Sequence, residues 1–387
     1  MEQAEQNRLI DKALEREQRK ETEVGQSETQ WPVRDYFDPG RYQREWQMIR
    51  RQPLIVAHAS EIAQPGDYVA KDLMGTPVIV VRDEQGKAKV HINVCRHRGA
   101  ALLQESEGSG LSRFRCPYHG WCYQLDGLLT NVPDQARSFP NLDKADRPLT
   151  SLPCAEHHGF IWAIPDPLGE AGAIPDVPAF LGPSLDNEFA AYGFEEYTYY
   201  RRESWEGAFN WKSGVEQFLE NYHFAVLHRD STNWLFIHNL ALCDRFERHF
   251  RGVAPKRSIR DLANQPREHW SLRPNATIIY TIFPVATFFV EKSHFSLLQI
   301  FPIGPERSRI EITHVAGQDQ LSKRPFWEAN IDLFKAAVNE DLETCETMQA
   351  GFRSRANDYL MFGRNEIGLD QYRRCIEDAL DTEIQQA

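Results

Sequence analysis

The sequence predicts an α+β protein in two unlike parts, a small all-β domain followed by a larger domain whose helices wrap one antiparallel sheet. Three observations carry that prediction. Between about Arg44 and Pro165 the chain runs in short strand-like segments broken by Gly/Pro turns, the texture of a small sandwich or barrel. The stretch PDPLGEAGAIPDVPAFLGP, residues 165–183, reads as a linker. Beyond it, the β-rich segments ATIIYTIFPVATFFVEKSHFSLLQIFPI and RIEITHVAG stand between helical patterns, WKSGVEQFLENYHFAVLH before them and FWEANIDLFKAAVNEDLETCETMQAGF and LDQYRRCIEDAL after. Helices on one antiparallel sheet make an α+β domain.

Taken in order, residues 1–30 are highly charged and read as a solvated helix or an arm, with no chemistry attached. Residues 31–43 are expected to pack on the larger domain. The β-domain is assigned to 44–165. Within it TPVIVVRD and KAKVHINV flank the turn DEQGK as a hairpin, and HHGFIWAIPDP supplies a later strand. The larger domain is assigned to 166–387.

Composition excludes several classes. The 387 residues are 41% hydrophobic and 26% charged, ordinary for a globular protein with real cores. A net charge of −12 with no Lys/Arg block disfavours nucleic acid or an anionic membrane surface as a partner. No apolar run approaches the ~20 residues of a membrane span. The N-terminus MEQAEQNRLIDKALEREQRK lacks the basic-then-apolar order of a signal peptide, so a cytoplasmic location is expected. Seven cysteines in so large a chain suit metal binding or packing better than a disulfide framework.

Two constellations carry chemistry. In the β-domain, Cys95 and His97 form C-x-H in NVCRHRGA, and Cys116 and His119 form C-x-x-H in RCPYHGW, with eighteen residues between the pairs. Two thiolates and two imidazoles can hold zinc or a Rieske [2Fe–2S] cluster, with Cys on one iron and His on the other. A zinc finger keeps like ligands together. Here each loop carries one of each, which favours the cluster.

The second constellation is FLENYHFAVLH, residues 218–228, which seats Glu220, His223 and His228 among apolar side chains. Buried ionisable groups are costly unless paired or bound to metal. Non-haem Fe(II) oxygenases bind iron with two His and one carboxylate, leaving positions open. On a straight helix the step from His223 to His228 rotates by about 140°, so a bulge, kink or helix end is predicted between them. The carboxylate is sought on the later helix. There Ile331, Phe334, Val338, Cys345 and Met348 form an apolar stripe, and Asp341 falls in its register, while Glu340 lies off it. Glu220, three residues before His223, is expected on the same helical side as a partner for that imidazole.

CRHRGA and CPYHGW, followed some 100 residues on by NWK…YH…LH, resemble the α (oxygenase) subunits of Rieske non-haem iron oxygenases, from about residue 31 onward. The resemblance implies a Rieske domain joined to a helix-grip (START-like) catalytic domain. It implies Cys95, His97, Cys116 and His119 as cluster ligands, and His223, His228 and Asp341 as ligands of a mononuclear Fe(II). In this family the position of Glu220 is most often Asp, and it bridges the iron-bound His to a Rieske His of the adjacent subunit. The longer Glu resembles the branch acting on quaternary ammonium substrates such as carnitine. Asn210, Trp211 and Lys212 match the family's NWK signature at the helix start, where a structural role is the main reading, with Asn210 also a candidate catalytic group near the iron pocket. The resemblance further implies O2 as co-substrate and a homotrimer. Electrons would come from NAD(P)H through a separate flavin/iron–sulfur reductase, with or without a ferredoxin.

The expected function is oxygenation of a small hydrophobic, aromatic or alicyclic, substrate, or else oxygenation or demethylation of a quaternary ammonium compound. Two other classes fare less well. An electron carrier needs on the order of 100 residues and has no use for the second constellation. A pure ligand-binding module has no reason to keep ferrous ligands in an apolar segment. The remaining histidines, His294 and His314 among them, read as surface or satisfied core residues. Glu216 reads as an ion-pair partner, and Cys122, Cys154, Cys243, Cys345 and Cys375 as small core hydrophobes.

Overall fold

The computed structural model describes residues 1–166 and 174–386. The middle of the expected linker therefore lies outside the described residues, while its C-terminal part is helical at Val177–Leu181 and Pro183–Ala190. The chain divides into two compact units. One holds Arg50–Phe180 with Gly193–Thr198, and the other holds Met1–Ile49, Leu181–Tyr192 and Tyr199–Ala387. The first unit thus runs past residue 165, and a short later segment returns to it.

The first unit is all-β. A five-stranded sheet runs in the order Ser151–Leu152, Ala88–Ile92, Thr76–Arg82, Tyr68–Leu73, Glu107–Gly108, with antiparallel pairing throughout. The hairpin expected around DEQGK is the Thr76–Arg82/Ala88–Ile92 pair, closed by Gly86 at φ +74°, a left-handed turn that favours glycine. Two three-stranded antiparallel sheets complete the unit. One contains Phe114–Arg115 and Cys122–Tyr123, whose connection carries Cys116 and His119. Ile79, Val81, Phe114, Trp121 and Tyr123 form its core, and Cys95 and Cys116 are buried within that core.

The second unit is built on a seven-stranded sheet in the order Tyr197–Gly207, Arg307–Gly317, His294–Gly304, Ala286–Val290, Ala276–Ile282, His249–Pro255, Leu242–Phe246. It is antiparallel from Arg307–Gly317 through to Leu242–Phe246. The 31-residue helix Arg324–Ser354 buries Ile331, Val338, Asp341 and Cys345 of the expected stripe, together with Leu342, while Phe334 and Met348 are half-buried. The short helix Trp211–Glu216 lies against the sheet at Gly214, where a Cβ would stand 2.8 Å from Ile300 Cδ1.

Two expectations are corrected. The N-terminal segment forms a helix, Gln3–Arg19, that is not merely solvated: Leu9, Ile10 and Ala13 are buried, and Asp11 pairs with Arg267 and Arg8 with Asp244. Residues Thr29–Pro32 pair antiparallel with Tyr359–Phe362, and Tyr36 and Val33 pack on Phe352. The helix expected across WKSGVEQFLENYHFAVLH stops at Glu216, and Tyr222–Ala225 is a single 3₁₀ turn. A tertiary contact accounts for the early stop. Gly368, in the helix Ile367–Gln386, faces Leu219 so closely that a Cβ would lie 2.5 Å from the Leu219 carbonyl oxygen. The backbone is held there by that helix, with no room to continue its own.

Candidate functional site: two metal-binding constellations and a phenylalanine-lined pocket

In the first unit the two ligand loops share one construction. Cys95 N–H donates to the Ala100 carbonyl (2.8 Å) and Gly99 N–H to the Cys95 carbonyl (3.0 Å). Cys116 N–H donates to the Trp121 carbonyl (2.8 Å) and Gly120 N–H to the Cys116 carbonyl (3.0 Å). Gly99 and Gly120 both take positive φ, +80° and +71°. The two loops bring His97 and His119 to a ring-centroid distance of 4.7 Å, and His97 stacks on Trp121 at 4.9 Å. The cysteines are buried and free, His97 is half-buried and His119 exposed. Cys95 Sγ lies 3.3 Å from Tyr123 Oη, and burial raises the Cys95 thiol pKa.

These residues fit a two-iron cluster. His97 Nδ1 is buried with no hydrogen-bond partner among the described residues, as a metal-directed nitrogen would be. The four donors do not close on one point: among the described residues, they do not form a group whose ligand atoms all lie within 4.8 Å of one another. A tetrahedral zinc site would bring them that close.

In the second unit His223, His228 and Asp341 do close on one point, within 4.8 Å of one another. Asp341 Oδ1 lies 3.3 Å from His223 Nε2 and 3.1 Å from His228 Nε2. His223 Nε2 and Asp341 Oδ1 are buried with no aligned hydrogen bond. Their orphaned state fits a metal between them, two imidazoles and one carboxylate on one face. Burial opposes charge on His223, yet contact with Asp341 and Glu220 raises its pKa to about 10. His228 is likewise raised, by Asp341 and Glu340 against burial.

Each imidazole is oriented from behind by a carboxylate, the arrangement that fixes the tautomer of metal-bound histidines. Glu220 Oε1 meets His223 Nδ1, and Glu220 Oε2 accepts from the Tyr222 N–H. The contact joins two residues of a non-helical loop, so the helical-face argument for it does not hold even though the pair does. Glu340 Oε2 meets His228 Nδ1 at 2.6 Å and accepts from Ser231 Oγ at 2.6 Å. Sequence reasoning set Glu340 aside because it lies off the apolar stripe. The one signal available was its position beside Asp341, one step round the same helix.

Asn210, expected as a catalytic group, is placed otherwise. It caps the helix Trp211–Glu216, its Oδ1 accepting from the Lys212 N–H (3.1 Å) and its Nδ2 donating to the Pro305 carbonyl (2.7 Å). It does not line the pocket at the histidines. Lys212 and Trp211 both donate to buried Glu45, at 2.7 and 3.0 Å. Glu216 accepts from Tyr36 Oη.

The three donors open onto a cavity of about 1020 Å³ including its mouth. Phe218, Phe224, Phe236, Phe289 and Phe334 line it, with Ile279, Leu333 and Val338. Its lining also includes the polar residues Lys256, Thr277, Glu291, His294, Ser296 and Asn330. His294, assigned no role from sequence because it stands alone, is part of that lining.

An all-β unit with paired Cys/His loops, and a sheet-and-helix unit with two histidines and a carboxylate on an apolar cavity, define a class of iron–sulfur, non-haem-iron proteins. The comparisons agree. Residues 52–153 match the family model for the Rieske [2Fe-2S] domain, and residues 194–382 that for the ring hydroxylating alpha subunit (catalytic domain). The chain belongs to the Rieske non-haem iron oxygenase α subunits, whose cofactors are the Rieske cluster and a mononuclear iron.

Among curated relatives, it is 35% identical over 202 residues to chlorobenzene dioxygenase subunit alpha of Cupriavidus sp. (strain PS12), covering 50% of this chain and 43% of that one. It is 30% identical over 198 residues to the carnitine monooxygenase oxygenase subunit of Escherichia coli (strain K12), covering 51% of each. The chain thus spans about half the length of the curated relatives it matches. Among solved structures, the fold is similar to a quaternary ammonium Rieske monooxygenase (TM-score 0.78, 21% identity, 92% of this chain and 96% of that one). It is similarly close to naphthalene 1,2-dioxygenase from Rhodococcus sp. (TM-score 0.75, 20% identity, 97% and 98%). Among the described residues, no helix is long and apolar enough to cross a membrane.

Proposed function

We propose that this chain is the terminal oxygenase component of a multicomponent Rieske oxygenase, acting with O2 on a small hydrophobic substrate with an aromatic or alicyclic ring. The observation that carries this reading is the opening of the His223–His228–Asp341 group onto the phenylalanine-lined cavity. Apolar pockets with few polar groups suit such rings. In this reading Cys95, His97, Cys116 and His119 hold the cluster, and His223, His228 and Asp341 hold iron. Iron bound there would supply O2 activation; the chain's own residues do the rest. Glu220 and Glu340 set the two imidazole planes, while the phenylalanines exclude water and seat the ring. A separate flavin/iron–sulfur reductase, with or without a ferredoxin, delivers electrons from NAD(P)H. The chain works as a homotrimer in which Glu220 joins His223 to His97 or His119 of a neighbouring copy.

A second reading, oxygenation or demethylation of a quaternary ammonium compound, is favoured by Glu220 standing where the family most often has Asp. A cation is best caged by Tyr or Trp faces, however, and the benzenoid rings among the residues lining the cavity are all phenylalanine. The test is a single turnover. The purified chain is chemically reduced, freed of reductant and given O2 with two pools, one of aromatic and alicyclic compounds, the other of carnitine, choline and betaines. An oxygenated ring product supports the first reading. Release of trimethylamine or loss of a methyl group replaces it with the second. Cluster reoxidation without any product from either pool counts against both.

A further inference from the structure

The polar wall of the cavity has an order that an apolar-ring substrate alone does not explain. Ile279, Phe289 and Ser296 are paired across three neighbouring strands and form one row facing the cavity. The next row on that face is Thr277, Glu291 and His294, with Glu291 N–H donating to the His294 carbonyl at 3.0 Å. Lys256 follows the strand His249–Pro255, which pairs with the strand carrying Thr277. The sheet side of the cavity thus becomes more polar from the Ile279–Phe289–Ser296 row to the Thr277–Glu291–His294 row. The metal donors come from the other side, off the loop and the long helix. Polar groups in an apolar cavity cost stability unless they are hydrogen-bonded.

The hydrogen bonds of that row show what it has left to offer. Glu291 is occupied on both oxygens, by Thr277 Oγ1 and by Lys256 Nζ. Glu220 and Asp341 face the histidines. Lys256 has three donors and uses one, toward Glu291. His294 is bonded to Asn330, and its Nδ1 is buried with no hydrogen-bond partner among the described residues. Burial, and after it the neighbouring His314, lowers its pKa to about 3, so the ring is neutral and carries a single N–H. The row therefore presents the spare N–H donors of Lys256, whose charge Glu291 balances, to whatever fills the cavity.

We propose that the substrate of this chain carries a carboxylate, held by Lys256 with His294 and Asn330 beside it, while its hydrophobic body lies among the phenylalanines. This deepens the oxygenase reading and rests on it for the chemistry, though not for the binding. A carboxylate belongs to cyclic acids and to carnitine and the betaines alike, so the test separates the two sources.

Binding to the purified, metal-loaded chain is measured by calorimetry. The probes are benzoate, phenylacetate and cyclohexanecarboxylate, each against its primary amide, and carnitine against choline. At least one cyclic acid should bind about tenfold or more tightly than its amide, the margin of a charge-assisted hydrogen bond. Lys256→Met should erase that margin by weakening the acid while leaving the amide unchanged. Glu291→Gln, which frees Lys256, should strengthen the acid. Carnitine alone showing the preference would keep the subsite and assign it to the betaines. No acid preferred over its partner, or a preference that survives Lys256→Met, overturns the proposal. If acids are preferred but no probe is turned over, the oxygenase reading fails and the subsite stands. If uncharged rings are turned over and acids are not preferred, the reverse holds.

Discussion

Glu340→Ala tests whether the carboxylate behind His228 is part of the metal site. In the native chain Glu340 Oε2 accepts from His228 Nδ1 at 2.6 Å, and the His228 side chain is only 3% exposed. A hydrogen bond to a charged group contributes about 1.5–3 kcal/mol net. Because the Glu340 side chain is 33% exposed, solvent screening places it at the lower end. A loss of about 1.5 kcal/mol is roughly tenfold in affinity, the lower bound of what outer-sphere partners of metal-bound histidines usually contribute. Iron should therefore leave the Glu340→Ala chain at about one tenth of the chelator concentration that strips the wild type. Acid-labile sulfide should stay constant in the same samples, because the cluster ligands lie in the other unit. Glu340→Gln, which keeps an acceptor but no charge, should fall between the two. If the Glu340→Ala and wild-type stripping curves superimpose, Glu340 does not hold His228 for the metal, and the pairing is a surface contact.

Three further outcomes are expected. Asp341→Ala should lose the mononuclear iron and all turnover while retaining the cluster, read by metal and sulfide analysis; iron and turnover both surviving would remove Asp341 from the site. Glu220→Gln should leave both metals bound but slow reoxidation of the reduced cluster in rapid mixing with substrate and O2, and an unchanged rate would take Glu220 off the electron route. The pH dependence of stability follows from His58, whose pKa burial lowers from 6.5 to about 4. Below pH 6.5 the unfolded chain takes a proton that the folded chain refuses, so stability present above 6.5 is lost as pH falls toward 4. At about 1.4 kcal/mol per pKa unit, the loss reaches about 3 kcal/mol. Denaturant midpoints for the first unit that stay flat across that range would contradict it.

What the sequence revealed and what it concealed divides along the range of the interactions. Cys95, His97, Cys116 and His119 were legible because a Rieske loop is local: each Cys carbonyl takes the N–H of its own glycine four residues on, and the spacing records it. Asp341 was legible because a 31-residue helix keeps its register over many turns. The end of the helix at Glu216 was not, because the cause is Gly368, far along the chain and in contact with the Leu219 backbone. The buried face of the N-terminal helix was hidden in the same way, since Asp11 and Arg8 find their partners at Arg267 and Asp244. Asn210 shows how a motif residue can carry a structural and a chemical reading at once; its side chain caps a helix, in keeping with the structural one.

Glu340 and Asp341 show why an off-stripe residue can matter as much as one on the stripe. Successive positions on a helix point about 100° apart, so two neighbouring acids cannot face the same group from the same side. Asp341 points inward and meets both Nε2 atoms. Glu340, one step round, passes behind His228 and reaches its Nδ1. The imidazole is gripped at both nitrogens by one rigid helix. His223 has no such second hold from that helix, and its rear partner, Glu220, comes from its own loop. The two histidines therefore differ in how they are held. His228 is tied to the helix on both sides, whereas His223 meets that helix only at Nε2 and is backed by its own loop. If electrons enter by way of Glu220, as proposed above, they enter at the histidine whose rear support is local, while His228 and Asp341 are both held by the long helix.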